Sequence, residues 1–520
     1  MNLLDAVLFI PLVGFFLVLF VPREREEAIR RVALAVALVT FLASLALLPG
    51  FIRANPGFQF VANLPWIAAP QIRFHTGIDG VSLWLVLLTT LLTPIGVLIS
   101  WRSIDRRVKE FFALFLLMEF GLVGVFVSLD LFLFYVFWEV SLVPMYFLIG
   151  VWGHERRIYA AVKFFLYTMA GSVLMLAALI YLYNRAGTFD YSALLQMLAS
   201  GRLAFGPREE LLLFLGFFIA FAIKVPLFPL HTWLPDAHVE APTAGSVMLA
   251  SVMLKMGCYG LVRFCLPLFP SASRDCAWWI AMLAIIGILY GALVALVQPN
   301  MKKLVAYTSV SHLGFVVLGI FTFTELGMNG AVYQMLNHGV STGALFVLVG
   351  YLYERRHSLE IEDYGGVATP APNLSAMFLI TALASMGLPM LNNFVGEYLV
   401  LQGAAQASFR WAVFAAIGVI LSACYMLWLY QRVFFGETRP EVGAGMRDLA
   451  GREWAAMLPL LVLMVWMGTA TQSFLPPITA SSAAILESSK VGVSFEVRLA
   501  DPQGRPNGLA GGTQEVARAR

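Results

Sequence analysis

A chain of 520 residues that is 60% hydrophobic, 12% charged and has a mean hydropathy of +0.81 cannot coat itself with a water-facing surface. That excludes a soluble enzyme and makes lipid its solvent. The net charge of +3 decides little by itself; its distribution decides more.

Apolar runs of about twenty residues recur from the N-terminus to about residue 474. Each is long enough to span a bilayer as a helix and too long for a barrel strand. In chain order they cover about 3–21, 32–52, 77–101, 110–128, 130–152, 160–183, 211–234, 242–267, 276–297, 303–323, 329–353, 374–402, 408–435 and 454–475, about fourteen spans. The first carries Asp5 and no basic leader, so it reads as a retained helix. Residues 53–75 form the longest early loop. Residues 1–475 make one membrane domain. The polar segment 476–520, rich in Gly, Pro, Ser and Ala, reads as an extracytoplasmic tail of low order. The expected fold class is all-α and polytopic.

Basic residues follow alternate spans. Arg23, Arg25, Arg30, Arg31, Arg102, Arg106, Arg107, Lys109, Arg156, Arg157, Lys163, Lys302, Lys303, Arg355, Arg356, Arg432, Arg439, Arg447 and Arg452 fall on one side. The other side holds Arg53, Arg73, Arg185, Arg202, Arg208, Arg274 and Arg410. The richer loops are therefore expected in the cytoplasm of a bacterial inner membrane, with both termini periplasmic. Cys258, Cys265, Cys276 and Cys424 have no metal-ligand spacing, and there is no P-loop, dinucleotide fingerprint or iron–sulfur set. No metal or cofactor is expected on this chain, and no nucleic acid as partner.

Two spans look broken, at Phe221–Pro229 and at Met386–Asn393. Proline deletes a backbone hydrogen bond, and paired interruptions in the two halves of a transporter commonly mark inverted repeats and the transport site.

Lys224 and Lys255 fall near mid-membrane, and Glu119, Glu139 and Glu397 lie inside spans. His312 and His338 also lie within spans, and His231 follows the first proline break. A charge at that depth opposes insertion by about 2.5–3.5 kcal/mol. So many titratable groups at similar depth should therefore line a hydrated interior path. An amine taken out of water exchanges its proton more readily near neutral pH, and a neighbouring carboxylate opposes that, so such a set suits a proton relay. Each residue also has a plainer reading. Glu139 and Lys224 can form a static ion pair, the histidines can pack between helices, and Glu119 can be a protonated, hydrogen-bonded carboxyl. Arg263 lies near a span end where it can snorkel. His231 and His238 flank Pro235 in a stretch that reads as wet.

Six stretches carry a family resemblance: DLFLFYVFWE at 130–139, KFFLY at 163–167, KVPLFPLHTWLPDAH at 224–238, APTAGS at 241–246, YTSVSHLG at 307–314 and NFVGE at 393–397. On these the chain resembles the antiporter-like subunits of respiratory complex I, and within that set the M type, the counterpart of mitochondrial subunit 4. The resemblance covers nearly everything up to about residue 475. It implies two inverted five-helix units and a hydrophilic axis in mid-membrane. On that axis Glu139 tunes Lys224, Lys255 is the central relay lysine, and His312 and His338 bridge to Glu397. His231 sits beside the Lys224–Lys255 link, and Glu119 is an added carboxylate near a subunit contact. Glu397 separates the M type from the L and N types, which usually carry Lys there. The resemblance implies proton translocation coupled to quinone reduction elsewhere, with L and N subunits and lipid as partners. A subunit of a sodium/proton antiporter or membrane hydrogenase, and a structural scaffold, stay open as alternatives.

Overall fold

The computed structural model describes residues 2–490. Among them, eleven helices are long and apolar enough to cross a membrane. They are α1 (Leu3–Phe20), α2 (Glu26–Leu45), α3 (Ser82–Ser103), α4 (Val108–Val127), α5 (Leu131–Trp152), α6 (Arg157–Ala186), α9 (Thr243–Leu268), α10 (Ala277–Leu296), α11 (Met301–Ile320), α12 (Glu325–Arg356) and α15 (Phe409–Phe434). The two spans read as broken are broken. The first is α7 (Pro207–Lys224) followed by α8 (Trp233–Glu240), and the second is α13 (Pro372–Ser385) followed by α14 (Asn392–Ala407). Helix α16 (Gly451–Thr469) carries Pro459 inside it.

Three sequence expectations need correction. The loop at 53–75 contains an antiparallel hairpin of β1 (Gln59–Ile67) and β2 (Ile72–Ile78), so the chain is not purely α. Aromatic and β-branched residues such as Val61, Trp66, Ile72 and Thr76 fit a pleated surface better than a helix. The second span starts at Glu26 rather than near 32, because Glu26–Arg30 and Glu27–Arg31 pair across one turn at 3.1 and 3.2 Å and carry the helix outward. The segment read as a tail of low order starts with α17 (Leu475–Ser488), whose Ser481 hydroxyl accepts the Gly80 N–H at 2.8 Å. Residues 491–520, the rest of that expected tail, lie outside the described residues.

The core sits around α9 and α12, whose apolar windows are wholly buried. Helix α9 widens twice into π-helical turns, Leu249–Met253 and Leu261–Cys265. Such turns free backbone carbonyls inside an otherwise regular helix. Small residues let the neighbours of α12 approach. A Cβ on Gly330 would stand 2.6 Å from the Val400 nitrogen of α14. Helix starts are capped from their own sequence. Asp130 accepts from the Phe132 and Leu133 amides, Asn300 from those of Lys302 and Lys303, and Thr324 from that of Gly327.

Candidate functional site

Helix α7 ends at Lys224, with the Val225 N–H still bonded to the Phe221 carbonyl at 2.8 Å, because the KVPLFP run cannot continue the helix. Lys224 is buried, and its Nζ has no hydrogen-bond partner among the described residues. It stands over the rings of Trp138, at 5.3 Å from the centroid, and Phe164, at 5.4 Å. Glu139, one residue beyond Trp138 on α5, makes no ion pair with it and instead accepts a hydrogen bond from the Ser172 hydroxyl of α6. The static ion pair is therefore absent among the described residues, while the Glu139 charge still acts on Lys224 through space. Helix α9 reaches this break because residue 257 is glycine. A Cβ there would stand 2.7 Å from the Phe221 carbonyl oxygen and 3.0 Å from the Val225 nitrogen.

Lys255 follows the first π-helical turn of α9 and is fully buried. Its ammonium donates to the Ala250 carbonyl at 2.6 Å, which lies inside the widened turn. It also lies 2.5 Å from His338 Nδ1 of α12. The His338 ring centroid is 6.0 Å from that of His312 on α11. His312 Nδ1 contacts Glu397 Oε1 at 2.9 Å, and its Nε2 faces the Tyr425 hydroxyl at 3.2 Å. Gln334 adds a donor to the same carboxylate oxygen at 3.2 Å. Glu397 lies in the second turn of α14, beyond the second break. Gly387 in that break has φ +77°, and a Cβ on it would come within 2.9 Å of Glu397 Oε2. Lys255, His338, His312 and Glu397 thus form one buried file with a single wide step between the two rings.

Lys224 and Glu139, at the first break, stand outside this file, and two further predicted residues do as well. His231 is buried against Phe228, Tyr290 and Tyr307, with ring centroids 5.7, 5.1 and 6.3 Å away. Glu119 on α4 is fully buried beside Thr93 of α3, whose hydroxyl donates to the Thr89 carbonyl at 3.1 Å.

The structure also supplies residues that sequence reasoning placed elsewhere. Arg263 does not snorkel. It is buried in the second π-helical turn of α9 and pairs with buried Asp79 at 2.5 Å. His238 is not wet. It is fully buried and stacked 4.5 Å from Phe346, and neither ring nitrogen has a hydrogen-bond partner among the described residues. The charges of both Lys302 and Lys255 reach it. Lys302, read as a loop residue, is buried at the start of α11 and donates to the carbonyls of Ala241 at 2.5 Å and Val239 at 3.3 Å. The Asn300 cap is the signal that places Lys302 inside a helix rather than before it.

Lys302 lines a cavity of about 400 Å³ on the basic-loop face, with Arg102, His154, Tyr353, Glu354 and His357. His154, in the link between α5 and α6, is held neutral there. Burial, and then the Lys302 charge, push its pKa down to about 4. Lys302 thus lines the cavity, and its charge and that of Lys255 both act on the buried His238.

The chain matches the family model described as NADH:quinone oxidoreductase/Mrp antiporter, TM, over residues 128–423. It is 47% identical over 480 residues to NADH-quinone oxidoreductase subunit M of Rhodobacter capsulatus, covering 90% of this chain and 93% of that one. It is 43% identical over 488 residues to NADH-ubiquinone oxidoreductase chain 4 of Arabidopsis thaliana, covering 94% and 97%. A chain of respiratory complex I from Thermus thermophilus with bound NADH superposes with a TM-score of 0.85 at 35% identity, over 94% of this chain and 99% of that one.

Proposed function

The chain belongs to the NADH-quinone oxidoreductase subunit M family, a set of antiporter-like membrane-arm subunits of complex I, and from that premise we propose that its buried file carries protons from cytoplasm to periplasm. The observation that carries this reading is the contact of Lys255 with His338 at 2.5 Å, continued by His312 on Glu397 at 2.9 Å. Proton exchange needs donor and acceptor at hydrogen-bond reach, or one water apart. The file meets that at both ends and leaves one step between rings 6.0 Å apart for a water.

Protons enter from the cytoplasm through the cavity beside Lys302 and pass by His238 to Lys255. Glu139 biases Lys224 across a gap rather than by contact, so a small approach or withdrawal of either group changes how readily Lys224 holds its proton. Glu397 is the release site toward the periplasm. Glu119 and His231 are accessory groups at the edges of the path. Quinone reduction in partner subunits supplies the energy, since each charge moved works against about 2.3 kcal/mol per 100 mV. No redox centre or cofactor on this chain takes part.

The finer architecture belongs to the same reading. It has fourteen spans, counting the two broken helices and α16, in two inverted five-helix units, with periplasmic termini and adjacent L and N subunits. The alternation of basic loops supports that orientation, and the paired breaks support the repeats.

The test is NADH-driven acidification of everted membrane vesicles carrying wild type or His338→Phe, with assembly of the complex verified. Loss of one proton-transfer group predicts a slowing of roughly 10²–10⁴-fold, which abolishes measurable pumping. Pumping within twofold of wild type in the assembled variant contradicts the relay. Sodium-dependent, NADH-independent exchange by the wild type moves the chain to antiport.

A further inference from the structure

On the face opposite the basic loops, a second cavity of about 470 Å³ runs between α2, α3, α12 and α16. Its lining is apolar except at one end, where Arg53 and Ser473 stand beside Trp84 and Trp466. Arg53 is exposed and has no ion pair among the described residues. The Trp84 indole Nε1 is buried without a hydrogen-bond partner among the described residues. Two indoles, an unpaired guanidinium and a hydroxyl in one ring make the composition of a membrane–water interface.

From that ring the cavity descends into the apolar zone. Along α3 it runs from Trp84 to Leu91, and along α16 from Trp466 to Pro459. Each is seven residues of helix, so both walls independently give a depth of roughly 10 Å at ~1.5 Å per residue. Its outer lip, Leu45 and Val462, is exposed toward the bilayer. Its floor, Leu336 and Val340 of α12, is buried at 4% and 2% exposure. The floor residues are therefore reached from the membrane through this opening.

We propose that the cavity holds one acyl chain of a glycerophospholipid whose phosphate lies on Arg53 and whose glycerol region faces the Trp84 indole. Three observations select this occupant. The cavity is apolar in depth and polar only at its mouth, the polar end carries a cation suited to a phosphate, and the lip opens toward lipid. A helix of a neighbouring subunit would cover the lip without filling a narrow cleft of this depth. The floor gives the site a position of interest, because Leu336 and Val340 flank His338 on α12.

The experiment uses the whole complex, reconstituted with phosphatidylglycerol that bears a diazirine midway along one acyl chain. After illumination, labelled peptides are mapped by mass spectrometry. Label is expected on the segment containing Leu336 and Val340, and excess unlabelled phosphatidylglycerol should remove it. Arg53→Ala should lower it roughly fivefold, the weight of one basic residue on an anionic headgroup. Leu463→Trp, which fills the cleft, should abolish label on the floor while leaving label on the lip. Label confined to the lip in the wild type, or floor label that competitor does not displace, overturns the proposal. So does cross-linking of the floor to a neighbouring subunit's peptide.

Discussion

Asp79→Asn is expected to loosen the helix that carries Lys255, and its size can be worked from the contacts. Asp79 Oδ1 accepts from the Val81 and Ser82 amides at 3.1 and 3.0 Å, so it caps the start of α3. Its Oδ2 accepts from Arg263 at 2.5 Å. Asparagine keeps an oxygen for the amides but presents no charge to the guanidinium. Arg263 retains the Tyr259 hydroxyl at 3.2 Å and the faces of Phe58 and Tyr259 at 4.9 and 5.3 Å. These are worth less than an anion. Breaking one side of a buried pair costs roughly 3–5 kcal/mol, a factor of about 10² to 10³ or more in the local equilibrium. Replacing both ends, Asp79→Asn with Arg263→Met, removes the stranded charge, so the double variant should recover at least ~2 kcal/mol of the summed single losses. The assay is stepwise heating of detergent-solubilised complex, scored by the fraction of this chain that stays assembled. Single variants as heat-resistant as wild type, or a double variant whose loss is the sum of the singles, would refute the reasoning.

Gly387→Ala should impair pumping without blocking assembly, because a left-handed conformation costs a non-glycine residue about 1–2 kcal/mol and the new methyl displaces Glu397. The initial rate of vesicle acidification checks it. His154 has a pKa lowered from 6.5 to about 4 by burial and then by Lys302, so the folded state holds the neutral ring. Its contribution is complete above about pH 6.5 and is lost as pH falls from there toward 4. Melting of the complex should therefore weaken over that window, with a shallower decline in His154→Gln, measured as melting temperature against pH.

Much of this was legible in the sequence because the bilayer enforces simple rules. A lysine at mid-depth has to face the interior, so Lys224, Lys255 and the carboxylates within spans stood out once the spans were placed, and the prolines marked both breaks. What was not legible came from groups near span ends, where the same residue can point to water or inward. Arg263 and Lys302 both sit within reach of an interface by residue count, and only the packing of α3 and α8 against them shows that they turn inward. His238 read as wet because Pro235 suggests a loop, yet α8 continues through it as a buried half-helix. The contact of Lys255 with His338 joins residues 83 positions apart and depends on a π-helical turn, which has no signal in residue pattern.

The central claim, that protons move along this buried file, is tested most directly by Lys255→Ala, which removes the amine in contact with His338. NADH-driven pumping in everted vesicles is compared with wild type at equal amounts of assembled complex. Pumping should be lost while the complex remains assembled. Normal pumping in the assembled variant would contradict the relay and leave Lys255 a purely structural role.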